Sequence, residues 1–320
     1  MLQLVPLTLI IGGSAAARLA AQLCTDDPNV AVICSIDRLA VHSERGLLVV
    51  DADVASRTPG CGCCEVRIDL VDAVGRVVRR RRRPSRVLVL LDEVDDAVTV
   101  TYTVLFDAGL QRLVQLDGVV TVVDAVQLAT RIHGDLAVDT DRGLDRLAIA
   151  DRIVVARGRD VTPVAMGQIG HMLRSINQIA PVIVPSLTIC TLDELVDIDA
   201  WHGAPSVGRV PAEPSPLLPP DAPRTIACSS AHPLDADLID EWLDALIAEH
   251  ATRLLRLQGA VRVPGSERHS CFYGIRSYAM NHTHPGDAGL PAAASSVVVI
   301  GRGLPAEELQ ASFAAAQLHP

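Results

Sequence analysis

Short, continuous runs of Val, Ile and Leu alternate with amphipathic stretches over residues 1–190. Continuous apolar runs of this length are typical of strands that are buried on both faces of a sheet. Strands are predicted at Leu7–Ile11, Val30–Cys34, Val87–Leu91, Gly118–Val123, Ile153–Val155 and Pro181–Pro185, and helices at Ala15–Cys24, Val66–Arg80, Val126–His133 and Pro163–Ile176. This alternation predicts an α/β domain whose parallel sheet is covered by helices.

The pattern changes in the last third of the chain. Residues 201–223 are rich in proline and have little apolar periodicity, which favours a stiff, extended linker. Beyond them, strands are predicted at Thr225–Cys228, Leu254–Val263, Ser270–Ile275 and Val297–Ile300, and helices at Leu234–His250 and Ala306–Ala315. We therefore expect a parallel-sheet domain at 1–200, a Pro-rich linker at 201–223, and a small α+β domain at 224–320.

The amino-acid composition excludes some kinds of reaction and of binding surface. All 28 Lys and Arg residues are Arg, so reactions that need a lysine ammonium are excluded. A net charge of −10 with 2% aromatic residues argues against a general nucleic-acid-binding surface.

The apolar N-terminus has no basic region or cleavage site, and no apolar run approaches the roughly 18 residues that cross a bilayer. We expect a cytoplasmic protein that does not enter membranes and whose cysteines are reduced or bind metal.

Three cysteines stand almost side by side at Cys61, Cys63 and Cys64. A thiolate trio is a soft site suited to Zn²⁺ or Cu⁺, and the intervening glycine lets the backbone turn both flanking sulfurs inward. Zinc needs a fourth ligand, for which the candidates are Glu65, His42, Asp37 or a water molecule. Two other readings stay open, namely burial at a strand–helix turn without metal, and redox chemistry.

The other cysteines and histidines are weaker candidates for metal ligands. His269, Cys271, His282 and His284 lie close together in the small domain. Two imidazoles in a His-Thr-His sequence would share one face of a strand, but we favour a polar loop before Pro285. Apolar surroundings predict core positions for Cys24, Cys34, Cys190 and Cys228.

Seven arginines crowd the segment between a predicted helix and the next strand: Arg76, Arg79, Arg80, Arg81, Arg82, Arg83 and Arg86. Their position complements the dipole at the end of the helix, so a solvated helix end explains them. The functional alternative is contact with a nucleic-acid backbone or an acidic protein. Without interleaved aromatic residues, backbone contact is favoured over base readout.

Seven pieces, in order along the chain, resemble the CobW family of P-loop GTPases and zinc chaperones. They are GCGCCEVRIDLVDAV (Gly60–Val74), LDGVVTVVDA (Leu116–Ala125), LAIADRIVV (Leu147–Val155), LRSINQIAPVI (Leu173–Ile183), HPLDADLIDEWLDAL (His232–Leu246), LLRLQGAVRVPG (Leu254–Gly265) and VVVIGRGL (Val297–Leu304). The resemblance implies a P-loop-NTPase-like N-terminal domain and a small C-terminal domain, and it assigns the Cys-x-Cys-Cys sequence to the family's signature.

The chain departs from the family wherever nucleotide is bound. The P-loop, G-x-x-x-x-G-K-[ST], is reduced to Gly12, Gly13 and Ser14, with Ala16 and Ala17 in the places of the lysine and the hydroxyl. The carboxylate after the second strand falls on Ile36, the loop after the Val87 strand has become Leu91–Val98, and the base-reading N-K-x-D has become Ala156–Arg159. Of these, Asp92 and Glu93 are expected to cap the following segment rather than bind Mg²⁺. We expect a pseudo-GTPase with no catalytic residues and no GTP.

The resemblance also suggests a role. The chain is similar to degenerate mycobacterial members of the family, including one that helps a ribosome-hibernation protein to act when zinc is scarce. We therefore expect a zinc-binding adaptor with a protein partner, and contact with the ribosome or RNA through Arg79, Arg80, Arg81, Arg82 and Arg83. The alternative is a GTP-dependent zinc metallochaperone in which Arg18 and Asp160 replace the lost residues.

Overall fold

The computed structural model describes residues 4–27, 29–34, 48–51, 62–92, 96–133, 141–185, 195–201, 215–266, 268–283 and 294–318. By their contacts, the residues divide into two compact units. The first unit comprises residues 1–146, 150–166 and 181–199, and the second comprises 147–149, 167–180 and 200–320. No helix in the described part of the chain is long and apolar enough to cross a membrane.

The first unit contains a parallel sheet flanked by helices. Its described strands are β1 (Val5–Ile11), β2 (Val30–Cys34), β3 (Leu48–Asp51), β4 (Arg86–Leu91), β5 (Val114–Asp124), β6 (Arg152–Ala156) and β7 (Val182–Ile183). They lie in the order β3-β2-β4-β1-β5-β6-β7, and every pairing is parallel. The helices are α1 (Gly13–Asp26), α2 (Gly62–Val78), α3 (Ala97–Phe106), α4 (Ala125–His133), α5 (Asp141–Ala148) and α6 (Pro163–Ile176), of which α5 and α6 continue into the second unit.

Both faces of this sheet are buried. On one face, Leu19 and Leu23 of α1 pack with alternate strand residues such as Ile10, Leu88 and Val120. On the neighbouring strand positions, Leu9 and Ile33 are fully buried as well, and α2 and α3 pack against β2, β3 and β5. Adjacent strand residues point to opposite faces, so this burial requires cover on both sides. The predicted α/β fold with a parallel sheet is confirmed.

Helix α3 (Ala97–Phe106) lies in a stretch for which the sequence pattern predicted no element. Its sequence, AVTVTYTVLF, is rich in β-branched residues, which favour strands. The helix nevertheless forms because most of its residues are buried. The Oγ1 atoms of Thr101 and Thr103 donate to the carbonyls of Ala97 and Thr99 at 2.7 and 2.9 Å. Packing here overrides local propensity.

The second unit is built on an antiparallel sheet. Its described elements are β8 (Arg224–Ser230), α7 (Ala236–His250), β9 (Leu254–Val261), β10 (Ser270–Ile275), β11 (Tyr278–Thr283), β12 (Ser295–Gly301) and α8 (Ala306–Ala315). The strand order is β11-β10-β9-β12-β8. Both helices pack their apolar faces against one side of the sheet, where the rings of Trp242 and Phe313 meet edge to face at 5.2 Å. The predicted small α+β domain is confirmed.

The opposite side of this sheet carries a buried arginine, Arg256. Its Nε and Nη2 atoms donate to Gln258 Oε1 at 2.9 and 2.7 Å, and its Nη1 donates to the carbonyl of Ile149 at 2.7 Å. The guanidinium also lies 4.9 Å from the ring of Trp201. These contacts hold the short segment 147–149 and Trp201 within the unit, although both are distant from β9 in sequence.

Strand β11 corrects the interpretation of the histidines as a polar loop. Residues 278–283 pair antiparallel with β10, and His282 stands opposite Cys271. The hairpin turns at Arg276, whose φ of 52° is left-handed. The sequence YAMNHT has weak strand propensity, so pairing with β10 decides its conformation. His284 lies outside the described residues, as do residues 202–214 of the predicted linker.

Candidate functional site

The carboxyl ends of the parallel strands meet along one edge of the first unit. Here β1 leads into Gly12, β4 ends at Leu91, β5 ends at Asp124, and β6 ends at Ala156. In open α/β sheets, ligands bind at this edge, beside the point where the strand order reverses. The segments that the sequence aligned with the nucleotide loops of the CobW family therefore come together here.

The connection between β1 and α1 consists of one residue, Gly12. Its φ of 142° is open only to glycine, and a Cβ atom there would meet the carbonyl oxygen of Val122 at 2.3 Å. Its N–H group donates to the carbonyl of Leu91 at 3.1 Å, so this donor is already used within the sheet. Gly13 follows with φ 52° as the first residue of the helix. No loop long enough to surround a phosphate separates the strand from the helix.

The side chains that follow offer little to a phosphate or to Mg²⁺. Ala16 is 1% exposed and packs in the core of the first unit. Ala17 is half-buried and has no hydroxyl. Ser14 and Arg18 are exposed on successive turns, and Arg18 Nη1 donates to Ser14 Oγ at 3.5 Å. Arg18 is therefore the one guanidinium in the first turns of α1.

An ion pair joins the ends of β5 and β6. Arg157 Nε donates to Asp124 Oδ2 at 2.8 Å, and Nη2 contacts the same oxygen. The other carboxylate oxygen caps α4 by accepting from the N–H groups of Val126 and Gln127 at 2.9 and 3.1 Å. Arg157 adopts a left-handed φ of 53°. The segment aligned with the base-reading loop is therefore tied to Asp124 through Arg157.

Sequence patterns did not identify this pair, because its partners lie 33 residues apart. The local signal is limited to an acidic residue directly after a buried strand, a position that often caps a helix. Asp160, the proposed substitute for the base-reading aspartate, is exposed in a 3-10 turn that follows Arg157.

The capping prediction for the loop after β4 needs a correction. Helix α3 is capped by Asp96, whose Oδ1 accepts from Thr99 N at 3.0 Å and whose Oδ2 accepts from Thr99 Oγ1 at 2.8 Å. Asp92 is half-buried and does not cap the helix. Glu93 lies outside the described residues, and so does Ile36, which follows β2 in the sequence. The cap sits one residue before the helix because only that position brings a side chain to the first free N–H groups.

Two residues of the thiol trio lie at the start of α2. Gly62 is the first residue of this 17-residue helix, so the backbones of Cys63 and Cys64 lie in its first turn. The amino end of a helix favours the thiolate form of nearby cysteines, which is the form that binds metal. Cys61, His42 and Asp37 lie outside the described residues, and the side chains of Cys63, Cys64 and Glu65 are not described.

The described side chains form no group of three metal-ligating residues. The thiol site therefore stays a prediction. Elsewhere, Cys34, Cys228 and Cys271 are buried, as predicted for the first two. Burial raises the pKa of Cys228 to about 12. The side chain of Cys24 and the whole of Cys190 are not described.

The arginine run divides into an exposed part and a structural part. Helix α2 ends at Val78, and the next four side chains, Arg79 to Arg82, are exposed. Arg86 is buried at the start of β4, where its Nη2 atom donates to Asp197 Oδ1 at 3.0 Å. Arg83 is half-buried, and its carbonyl accepts from Asn29 Nδ2 at 3.3 Å. Four adjacent guanidinium groups are thus displayed on one turn.

A carboxylate borders this turn. Asp27 Oδ2 accepts a 2.6 Å hydrogen bond from Ser85 Oγ, and Oδ1 accepts from the N–H of Asn29 at 2.8 Å. The hydrogen bond from Ser85, then that from Asn29 and the charges of Arg86 and Arg82, lower the pKa of Asp27. The carboxylate therefore offsets part of the positive potential at the base of the run.

Two family models match the chain. The model described as CobW/HypB/UreG, nucleotide-binding domain, matches residues 13–184, and the one described as cobalamin synthesis protein cobW C-terminal domain matches residues 224–317. The first model alone covers more than half of the 320 residues. The seven sequence pieces that resemble the family lie inside these matches or overlap them.

Curated relatives include zinc-related proteins. The zinc chaperone YjiA of Escherichia coli is 25% identical over 269 residues, which are 82% of this chain and 81% of that protein. Zinc-regulated GTPase metalloprotein activator 1 is 24% identical over 143 residues in Schizosaccharomyces pombe and 28% identical over 160 residues in Saccharomyces cerevisiae. These matches cover 44% of this chain, and the chain spans about a third of the yeast proteins' length, 34% and 37%.

Solved structures agree on the fold. The crystal structure of Zn(II)-bound YjiA GTPase from E. coli superposes with a TM-score of 0.74 at 21% identity and covers 99% of this chain and 100% of that one. A zinc-bound triple variant of the same protein superposes with a TM-score of 0.71 at 21% identity, with 99% and 100% covered. With both family models matched in order and the two-part architecture in place, the chain belongs to the CobW family.

Proposed function

We propose that this chain is a CobW-family protein that acts by binding and does not hydrolyse GTP. The observation that carries the proposal is the one-residue link between β1 and α1. Gly12 has its N–H bonded to Leu91 and its Cα packed against Val122, so no phosphate-binding loop is present. Ala16 and Ala17 supply neither a charge for the terminal phosphates nor a ligand for Mg²⁺. The Asp124–Arg157 pair adds to this, because it holds the base-reading segment against β5.

We further propose that Cys61, Cys63 and Cys64 bind Zn²⁺. Three thiolates near the start of α2 suit zinc in charge and softness, and the helix terminus favours their ionised form. The relatives add support, because YjiA is named a zinc chaperone. Its triple variant replaced one glutamate and two consecutive cysteines by alanine, and two consecutive cysteines also occur here at Cys63 and Cys64. With an exchangeable fourth ligand, the site suits a sensor or a carrier better than a structural zinc.

The proposed role is that of a zinc-responsive adaptor in zinc homeostasis, acting on a protein partner. The exposed guanidinium groups of Arg79 to Arg82 supply a surface that fits phosphate groups, as on a ribosome under zinc limitation. Side chains on one tight turn engage adjacent phosphates without reading bases.

A second candidate is a GTP-dependent zinc metallochaperone with residual nucleotide binding. Its support is that the matched family model describes a nucleotide-binding domain and that Arg18 and Asp160 are both exposed. Under this alternative, Arg18 replaces the P-loop lysine, although a planar guanidinium matches the compact ammonium poorly.

Equilibrium dialysis with labelled GTP and Mg²⁺, with and without one equivalent of Zn²⁺, separates the two candidates. Purified E. coli YjiA, a GTPase, serves as the positive control. We expect no saturable binding to this chain in either condition. Saturable binding that Arg18→Ala abolishes would establish the metallochaperone instead.

A further inference from the structure

A groove of about 410 Å³ runs between α7 and α8 in the second unit. Its floor is apolar and consists of Trp242, Leu246 and Leu309, which are only 7%, 2% and 7% exposed. Ala245 and Ala315 line its sides, and their small side chains leave the space between the helices open. Trp242 is fixed in place, since its Nε1 donates to Ser312 Oγ at 3.0 Å.

The groove has the length of a short helical segment. Its lining residues on α7 extend from Leu238 to His250, which corresponds to about 18 Å along a helix axis. Leu238 lies near the start of α7 and is 45% exposed, so a large apolar side chain is left uncovered there. A helix of about three turns would cover this length.

The two helices are strongly acidic. Their carboxylate residues are Asp237, Asp240, Glu241, Asp244, Glu249, Glu307 and Glu308, and neither helix contains Lys or Arg. Glu241, Glu249 and Glu308 line the groove itself. Beyond the end of α7, Arg253 is engaged with His250 Nδ1 and the carbonyl of Gly303 at 2.8 and 2.9 Å. An acidic rim around an apolar floor repels phosphate and acidic peptides and attracts basic ones.

We propose that this groove binds a basic amphipathic helix from a partner protein. Apolar residues at i, i+3, i+4 and i+7 would cover Leu238 and fill the space beside Ala245 and Ala315. Lys or Arg residues would pair with Glu241, Glu249 and Glu308. A second copy of this chain fits less well, because Arg79 to Arg83 supply charge without apolar residues at helical spacing. This interaction is separate from the thiol site and does not depend on GTP or zinc.

The test uses the full chain and a fluorescein-labelled peptide of about 14 residues, made of leucine and lysine with the leucines on one helical face. Two matched peptides serve as controls, one with Glu in place of Lys and one with the same residues in an order that removes the apolar face. Fluorescence anisotropy at two salt concentrations measures binding. Binding of the first peptide alone is the expected result.

Substitutions on α7 test whether the peptide binds in the groove. Glu241→Lys and Ala245→Arg change lining residues, whereas Asp240→Lys and Ala248→Arg make the same changes at exposed positions of α7 outside the lining. We expect each groove variant to weaken binding about tenfold and each control by less than about twofold, because only contacts inside the interface are lost. Thermal melts verify that all four variants fold. Equal losses in groove and control variants, or equal binding of the reordered peptide, would overturn the proposal.

Discussion

Arg157 Nε lies 2.8 Å from Asp124 Oδ2, so the end of β6 is held against the end of β5 at the edge where nucleotide-binding members of the fold hold their ligand. The same carboxylate caps α4 through Val126 N and Gln127 N. One side chain therefore orders two neighbouring connections, and the segment aligned with the base-reading loop is held by the protein itself.

This arrangement predicts that the full chain does not hydrolyse GTP. Ala16 is buried and Ala17 has no hydroxyl, so these two positions supply neither a charge for the γ-phosphate in the transition state nor a ligand for Mg²⁺. Phosphate release with Mg²⁺-GTP is expected to equal that of a protein-free sample. The Arg157→Ala variant is expected to release phosphate at the same background rate. Turnover by the wild type that disappears in Arg18→Ala would contradict this prediction.

For the thiol site, we predict one zinc ion per chain, bound through Cys61, Cys63 and Cys64. Cys63→Ser and Cys64→Ser should each lose most of the metal, because a hydroxyl is a much weaker zinc ligand than a thiolate. Cys228→Ala, which alters a buried thiol far along the chain, should retain it. Elemental analysis of protein purified without chelator measures the content.

Zinc should also raise the melting temperature of the wild type, by linkage worth about 2.7 kcal/mol at a hundredfold excess over the dissociation constant. Equal and low zinc in the wild type and all three variants, with an unchanged melting temperature, would show that the cysteines only pack.

The exposed arginines predict a steep salt dependence if the partner is RNA. Replacing Arg79 to Arg83 with Gln should reduce the slope of log K against log salt by up to about 3.5, because about 0.7 counterions are released per single-strand phosphate contact. A matched control replaces five dispersed exposed arginines, namely Arg112, Arg159, Arg174, Arg224 and Arg268, and changes the net charge equally. Equal slopes for the two variants would contradict RNA contact through Arg79 to Arg83 and would indicate that these arginines form only a solvated helix end.

Gly12→Ala tests the tight connection between β1 and α1. The new Cβ would lie 2.3 Å from Val122 O, and the φ of 142° is unfavourable for alanine. Steric collision and backbone strain would therefore both destabilise the folded state. We expect a loss of about 3 kcal/mol or more of unfolding free energy. Gly265→Ala, at φ 78° with no atom within 4 Å, isolates the backbone cost, which should be about 1 kcal/mol. Urea denaturation compares them, and similar losses would mean that the Val122 contact relaxes freely.

Cys228 should resist alkylation in the native protein. At pH 8, a thiol of pKa about 12 has about one thiolate in ten thousand molecules, against about one in ten for an ordinary pKa of 9.0. Because its pKa is raised in the folded state, its contribution to stability is complete below pH 9 and is lost as the pH rises towards 12. Iodoacetamide labelling with peptide mapping, with and without denaturant, measures this. Rapid native labelling at Cys228 would contradict it.

The sequence determined the features that depend on local pattern and composition. Continuous apolar runs marked β1, β2 and β4 almost to the residue, since a strand buried on both faces needs apolar side chains at every position. The loss of the P-loop lysine and the survival of the Cys-x-Cys-Cys sequence were equally visible, because both are matters of residue identity.

Tertiary structure alone decided the contacts between distant segments. Helix α3 forms from strand-prone residues because it is buried, and β11 forms because it pairs with β10. The Asp124–Arg157 pair and the approach of Gly12 to Val122 join residues that are separated by 33 and 110 positions. Local periodicity reports which side of an element is buried but not which distant atoms it meets, so only the assembled sheet showed these two contacts.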